Sequence, residues 1–360
     1  MGTSQKKSKH IAGSAVSERT LIAAIRARAG RHGRAMRIGI GDDAAVLRPT
    51  PGMEIVVTTD LSLEQVHFRR DWHTPESVGH RCLARGLSDL AAMGAKPLAA
   101  FLSLSVPPEF TASENGPGWV DRFLDGLLAL ADHARVPLAG GDTAQSPKFD
   151  KLGQKQAGLA AADIILLGQV ARGRALLRSG ARVGDVIYVT GALGGAAAEL
   201  LALGRDPSQF LNLVHAAGRH PHLYPQPRLA VGRKLTAQKW AHAAIDISDG
   251  LSTDLSHICE ASGLAAELDA AAIPLHSLAV HAERDGWVPS AMALALHGGE
   301  DYELLFTAAR RARIPQTIGG ISIHPIGLML QKKPRQPLIA IRQHNGKLVE
   351  VEAGGWEHFK

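Results

Sequence analysis

Cysteine is scarce in this 360-residue chain, which carries only Cys82 and Cys259. Two thiols so far apart offer neither a disulfide framework nor a CxxC metal site, and each falls in a helix-like stretch where a buried hydrophobe is the expected role. Aromatic residues make up only 4% of the chain. The basic residues that give the net charge of +6 gather at Lys6, Lys7, Lys9 and again at Lys332, Lys333, Arg335, without interleaved aromatics. That distribution reads as solvated surface, so no nucleic-acid partner is expected. No apolar run approaches the ~18 residues of a membrane-crossing helix, and Met1 to Ser14 is polar with no apolar segment behind it. A cytoplasmic protein with no membrane partner is expected. Three phosphate-binding signatures are also missing or disfavoured: there is no GxxxxGK[ST] loop, no HRD or DFG motif, and the GxGxxA run at Gly39–Ala44 holds two aspartates that would repel a bare pyrophosphate.

What the chain does have is carboxylates at strand ends and in glycine loops. They occur in Gly39-Ile40-Gly41-Asp42-Asp43, Thr58-Thr59-Asp60, Ser88-Asp89, Gly140-Gly141-Asp142-Thr143, Asp246-Ile247-Ser248-Asp249-Gly250 and Gly298-Gly299-Glu300-Asp301. A single Asp-Gly is usually a turn or a helix cap. Six such loops exceed what turns require, and oxygen donors beside closely approaching backbone suit Mg²⁺. A triphosphate brought among these acids would be repelled without divalent ions and held with them, so strict Mg²⁺ dependence is expected.

The coarse pattern is α/β. Ser17 caps a helix bearing Leu21, Ile22 and Ile25 that stops at Gly30, Glu54–Thr59 reads as a strand, and Thr74-Pro75 opens a helix to Gly94 that carries Asp89. Pro97–Val106, Val136–Ala139 and Ala160–Val170 read as strands and Trp119–His133 as a helix. Ser146–Gln156 is polar and expected to be mobile. From Gly184 the pattern restarts as a strand (Asp185–Thr190), a glycine turn and a helix (Leu193–Leu203). These breaks divide the chain into a disordered tail at 1–16, an N-terminal domain at 17–172 and a C-terminal domain at 173–360.

Eight runs, in order, carry a resemblance: GIGDDAAVL (39–47), TTD with HF downstream (58–68), LSDLAAMGAKP (87–97), GGDT (140–143), GRALLRSGARVGDVIYVTG (173–191), AIDISDGLSTDL (244–255), GGEDYELLF (298–306) and GWEHF (355–359). Together they resemble the thiamine-monophosphate kinase family, within the superfamily that includes aminoimidazole ribonucleotide synthetase. The resemblance implies a two-domain α/β fold, each domain a mixed sheet with helices packed on it. It also implies a homodimer formed through the N-terminal sheet, and ATP- and Mg²⁺-dependent conversion of thiamine monophosphate to the diphosphate. By motif position it assigns Asp42, Thr58, Thr59, Asp60, Asp89, Asp142, Asp246 and Asp249 to several Mg²⁺ ions. Gly141, Asp142, Arg178 and Ser248 are assigned to ATP, and His67, Glu300 and Trp356 to the acceptor. Ala144 and Gln145 depart from the family's usual continuation of GGDT, and Trp356-Glu357 stands where Tyr-Asp is usual. Selenophosphate synthetase and the hydrogenase-maturation relative would need a functional cysteine that this chain lacks near its N-terminus and at its end. A non-catalytic nucleotide-binding protein would be expected to have lost metal ligands, and every expected aspartate is present.

Overall fold

The computed structural model describes residues 17–29, 35–112, 116–147, 158–210 and 219–355. The expected tail 1–16, Gly30, most of the polar stretch 146–156 and Trp356 lie outside them. The first half runs α1 (Glu18–Arg28), β1 (Met36–Ile38), β2 (Val46–Leu47), β3 (Met53–Leu63), α2 (Pro75–Ala92), β4 (Lys96–Val106), α3 (Trp119–Ala134), β5 (Leu138–Gln145) and β6 (Ala161–Ala171). The second runs β7 (Val186–Thr190), α4 (Gly195–Arg205), α5 (Leu229–Gln238), β8 (Ala241–Asp246), α6 (Leu251–Ser262), β9 (Leu264–Asp269), α7 (Ser277–Arg284) and α8 (Ala291–His297). It closes with β10 (Leu304–Ala308), β11 (Thr317–Ile318), β12 (Ile321–Gln331), β13 (Ile339–Arg342) and β14 (Leu348–Glu350).

Two sheets organise the two halves. One has the order β3-β6-β4-β5, with β4 and β5 parallel and the other pairs antiparallel. The other has the order β14-β13-β9-β12-β7-β10-β8, with β11 paired to β12, and only β13 and β9 are parallel. Each sheet is mixed and carries helices, as expected of the α/β two-domain architecture. Among the described residues no helix is long and apolar enough to cross a membrane.

α2 is the element on which the molecule turns. The Thr74 hydroxyl accepts from Ser77 N–H at 3.2 Å and Pro75 occupies the first turn, where no intrahelical donor is needed. Sixteen of its eighteen residues are buried because three layers meet on it. Leu83, Leu87 and Leu90 join Leu124 and Leu127 of α3 and Ile164 and Leu166 of β6 in the first core. Ala91 and Ala92 join Val231, Leu235 and Phe306 in a seam between the halves. A separate core around Ile187, Val189, Ile245, Leu255 and Leu305 belongs to the second sheet and α6. Small residues allow the close helix contacts: a Cβ on Gly79 would sit 1.9 Å from Phe123 O of α3, and one on Gly232 of α5 would sit 1.9 Å from Ala91 O of α2. Cys82 and Cys259 are buried free thiols in α2 and α6.

The strand pattern differs from the sequence expectation at two places that matter. The short strand expected at Val136–Ala139 runs instead from Leu138 to Gln145, so the GGDT run lies inside β5. Parallel pairing with β4 overrides the turn preference of two glycines, and Gly141, at φ +153°, passes so close to β4 that a Cβ would meet Leu102 O at 1.8 Å. Likewise β3 continues past Asp60 to Leu63 because pairing with β6 extends to Leu63–Ala161.

Candidate active site

A cavity of about 830 Å³ opens between the halves, and carboxylates from both line it: Asp60 of β3, Asp89 of α2, Asp246 at the end of β8, Asp249 in the following loop, and Glu300. Ser248 and His67 line it too. Seven residues singled out from four sequence-distant runs therefore share one space. The halves are tied directly at this point, because Ser88 Oγ on α2 donates to Asp246 Oδ2 at 2.7 Å. Thr58 Oγ donates to Asp89 Oδ2, and Arg85, one helical turn before Asp89, pairs with Asp60 at 2.7 Å. His67 Nδ1 accepts from Leu63 N–H at 3.0 Å, which puts its proton on Nε2.

The electrostatics is that of carboxylates short of positive charge. Asp246 is pushed from 3.8 up to about 7 by burial and then by Asp89, and Asp60 to about 6 by burial, with Asp89 adding to the effect against the pull of Arg85. Burial raises Asp89 as well, against its Thr58 hydrogen bond and the charges of Arg178 and Arg85. Asp254 accepts N–H bonds from Ser248, Asp249 and Gly250 and so shapes the loop, yet burial, with Asp246 and Asp249 beside it, takes it to about 8. A divalent cation would reverse each of these shifts. The donor set is all oxygen, as Mg²⁺ requires, so Asp60, Asp89, Asp246 and Asp249 fit it.

Each aspartate's folded-state value lies above its unfolded one, so the native state binds more protons and loses stability as pH rises through the interval between them. His73, held down near 2 chiefly by burial, acts oppositely, but only below its unfolded value of 6.5. Between pH 6.5 and 8.5 the aspartates act alone. Melting of the metal-free protein should therefore move several degrees lower across that window, with Mg²⁺ and nucleotide restoring it at pH 8.5. A midpoint that climbs with pH would contradict this charge balance.

Other expected site residues lie elsewhere. Asp42 and Asp142 are exposed, and each accepts from the next residue's N–H at 2.9 Å, Asp43 and Thr143 respectively. Thr59 is exposed on the side of β3 opposite to Thr58 and Asp60, and β5 with Gly141 is the far edge of the sheet from β3. Arg178 is exposed, although its charge reaches Asp89. None of these five residues lines the cavity. Trp356 lies outside the described residues.

The cavity also has an apolar wall that the motifs did not point to, formed by Val66, Phe68, Trp72, Leu200 and Leu201. Arg69 stacks over Trp72 at 4.3 Å, and the Trp72 ring lies against Gly204 of α4, where a Cβ would approach it to 3.3 Å. Arg85 had a legible signal, because Arg81, Arg85 and Asp89 recur at four-residue spacing on one helix face. Trp72 and Leu201 had none, since their meeting depends on how the halves pack.

Comparison with known families and structures agrees with this geometry. The AIR synthase related protein N-terminal domain matches residues 41–169 and the corresponding C-terminal domain matches 182–310. The thiamine-monophosphate kinase of Bacillus subtilis is 33% identical over 336 residues, covering 91% of this chain and 95% of its own, and that of Salmonella typhimurium is 37% identical, covering 89% and 91%. The crystal structure of the Stenotrophomonas maltophilia thiamine-monophosphate kinase superposes with a TM-score of 0.73 at 35% identity over 92% of this chain and 98% of that one. AaThiL complexed with AMPPCP and TMP superposes with a TM-score of 0.68 at 28% identity, covering 95% and 97%. With acids from both halves gathered in one cavity and these relatives matched along nearly their whole length, the chain belongs to the thiamine-monophosphate kinase family, on the two-domain AIR synthase-related fold.

Proposed function

We propose that the protein transfers the γ-phosphoryl group of ATP to thiamine monophosphate, giving thiamine diphosphate and ADP. The observation that carries this reading is the convergence of Asp60 and Asp89 from one half with Asp246 and Asp249 from the other on a single cavity. Asp60, Asp89, Asp246 and Asp249 would hold several Mg²⁺ ions, which when bound would supply charge neutralisation for the polyphosphate and the transferring group. Thr58 orients Asp89, and Ser248 and Arg178 contact the nucleotide. Asp42, Thr59, Gly141, Asp142 and Arg178 stand outside the cavity of the single chain, and their family roles in metal and ATP binding require the nucleotide or a second copy to reach them.

The acceptor needs no activation by a strong base. A phosphate monoester has its second pKa near ~6 and is largely dianionic at neutral pH. One of its oxygens attacks the γ-phosphorus while the bond to the β,γ-bridging oxygen breaks and ADP departs. Alignment does most of the work, with His67 Nε2–H directed to the acceptor phosphate and Glu300 to the thiamine moiety. The apolar wall at Phe68, Trp72 and Leu201 suits its aromatic rings. Incubation with ATP, Mg²⁺ and thiamine monophosphate should yield thiamine diphosphate on chromatography, with none in EDTA. Detection of a phosphorylated protein on the turnover path would overturn direct transfer.

The protein acts as a homodimer through the outer face of the first sheet. Ile55, Val57 and Leu61 alternate along β3 with 43%, 59% and 48% exposure, an apolar stripe that water-facing strands avoid. Val57→Glu should convert the dimer to monomer in sedimentation equilibrium. An unchanged dimer would place the interface elsewhere.

A further inference from the structure

Glu300 does not stand alone in the cavity wall. Around it lie three buried polar side chains drawn from both halves, of which the two histidines also line the cavity: Arg81 of α2, exposed to 4%, His73 to 3% and His222 to 2%. Arg81 Nη2 meets Glu300 Oε1 at 2.5 Å. Its Nη1 lies 3.1 Å from His73 Nε2 and also donates to His222 Nε2. A guanidinium can only donate, so His222 presents a bare Nε2 to it. His73 Nε2 also lies 3.0 Å from that atom, while His73 Nδ1 lies 3.2 Å from Arg69 N and 3.1 Å from Arg69 O. His222 therefore carries its proton on Nδ1, which faces Glu300 Oε2 at 3.0 Å, outside the angular range of a formal hydrogen bond.

The backbone points the same way. Glu300 has φ +68° and Tyr302 φ +50°, left-handed conformations that residues other than glycine adopt only under strain. Glu300 N–H donates to Ser248 O at 2.7 Å, which fastens the strained turn to the Asp246–Gly250 loop. Burial alone would raise the carboxyl of Glu300, yet Arg81, His222 and Arg85 hold it well below the usual range. The result is an ionised carboxylate with one flank fixed and the other turned to the cavity, its side chain 26% exposed.

The geometry points to Arg81 and His222, backed by His73, as positioning residues that clamp Glu300 across the junction of the halves so that it recognises the nitrogen-rich, cationic part of the acceptor. This inference rests on the phosphoryl-transfer reading above and deepens it by naming what fixes acceptor specificity. None of the three clamp residues supplies a reacting atom. Their removal should weaken acceptor binding, and leave nucleotide binding alone.

The test is calorimetric titration of thiamine monophosphate into the full-length protein with Mg²⁺ and a non-hydrolysable ATP analogue. Glu300→Gln and His222→Phe are each expected to weaken acceptor binding about tenfold, the scale of a lost charged hydrogen bond, with the affinity for the analogue unchanged. His222→Asn, whose amide keeps a donor near the Nδ1 position, should restore most of the loss. The double variant Glu300→Gln with His222→Phe should bind like Glu300→Gln alone, because the clamp then has nothing to position. A further tenfold loss in the double variant would make His222 a merely structural residue and overturn the inference. If His222→Phe does not accumulate folded, Arg81→Lys, which cannot fork to both partners, enters the same cycle with the same two outcomes. Failure of the unaltered protein to bind thiamine monophosphate at all would instead overturn the functional reading itself, and the clamp's acceptor with it.

Discussion

Asp246→Asn is expected to lower kcat by about a thousandfold while raising the melting temperature of the metal-free protein. Asp246 ends β8, is 5% exposed, receives the Ser88 hydroxyl at 2.7 Å and faces the same cavity as Asp60, Asp89 and Asp249. Asparagine keeps its size and an oxygen that accepts from Ser88. What it loses is a negative charge that burial and Asp89 already disfavour, as the rise to about 7 records. A group held against its own preference in the empty protein is a functional expense that a cation relieves, so stability and activity should move in opposite directions. Differential scanning calorimetry beside a steady-state assay reads both. Reduced stability with activity retained would show that Asp246 serves the fold and not the reaction.

Gly232→Val is expected to cost about 3 kcal/mol or more, at the upper end of overpacking effects, and to remove activity even in the fraction that folds. Gly232 lies in the middle of α5, where a Cβ alone would come within 1.9 Å of Ala91 O in α2 and a valine brings two further methyls. The contact sits in the seam formed by Ala91, Ala92, Val231 and Leu235. On the opposite side, Gly94, at φ +66°, has space for a Cβ only if Thr236 Oγ1, 1.8 Å away, gives way. α2 carries Ser88 and Asp89, so moving α5 away from it separates the two sets of carboxylates. Urea denaturation and kcat, measured on the same preparation, should fall together. A variant with the original denaturation midpoint would show that the helices do not pack as described.

Much of this was legible from the chain because strand and helix periodicities place the acids. Thr74-Pro75, the apolar repeat through Leu83, Leu87 and Leu90, and Gly94 announce α2 and with it Asp89. The β-branched run Ile55–Thr59 announces β3, and the Asp246–Gly250 loop follows a strand whose residues face a core. Strand ends were less legible, since pairing across a sheet carried β3 past Asp60 and drew the two glycines of GGDT into β5. The positions of Asp42 and Asp142 outside the cavity depend on sheet order, which local pattern does not encode. The apolar wall and the Arg81 clamp were hidden for a related reason. Trp72 meets Gly204, and Arg81 meets His222 and Glu300, across sequence separations that only the docking of the halves brings together.

The proposed phosphoryl transfer requires the acids of both halves to form one site for divalent ions and a polyphosphate. Crystals grown with Mn²⁺ and a non-hydrolysable ATP analogue, measured for anomalous scattering, test this directly. The expected map has more than one manganese peak inside the cavity, bounded by Asp60, Asp89, Asp246 and Asp249, with the analogue's phosphates between them. Peaks confined to the outer surface, or a nucleotide bound away from these carboxylates, would contradict it.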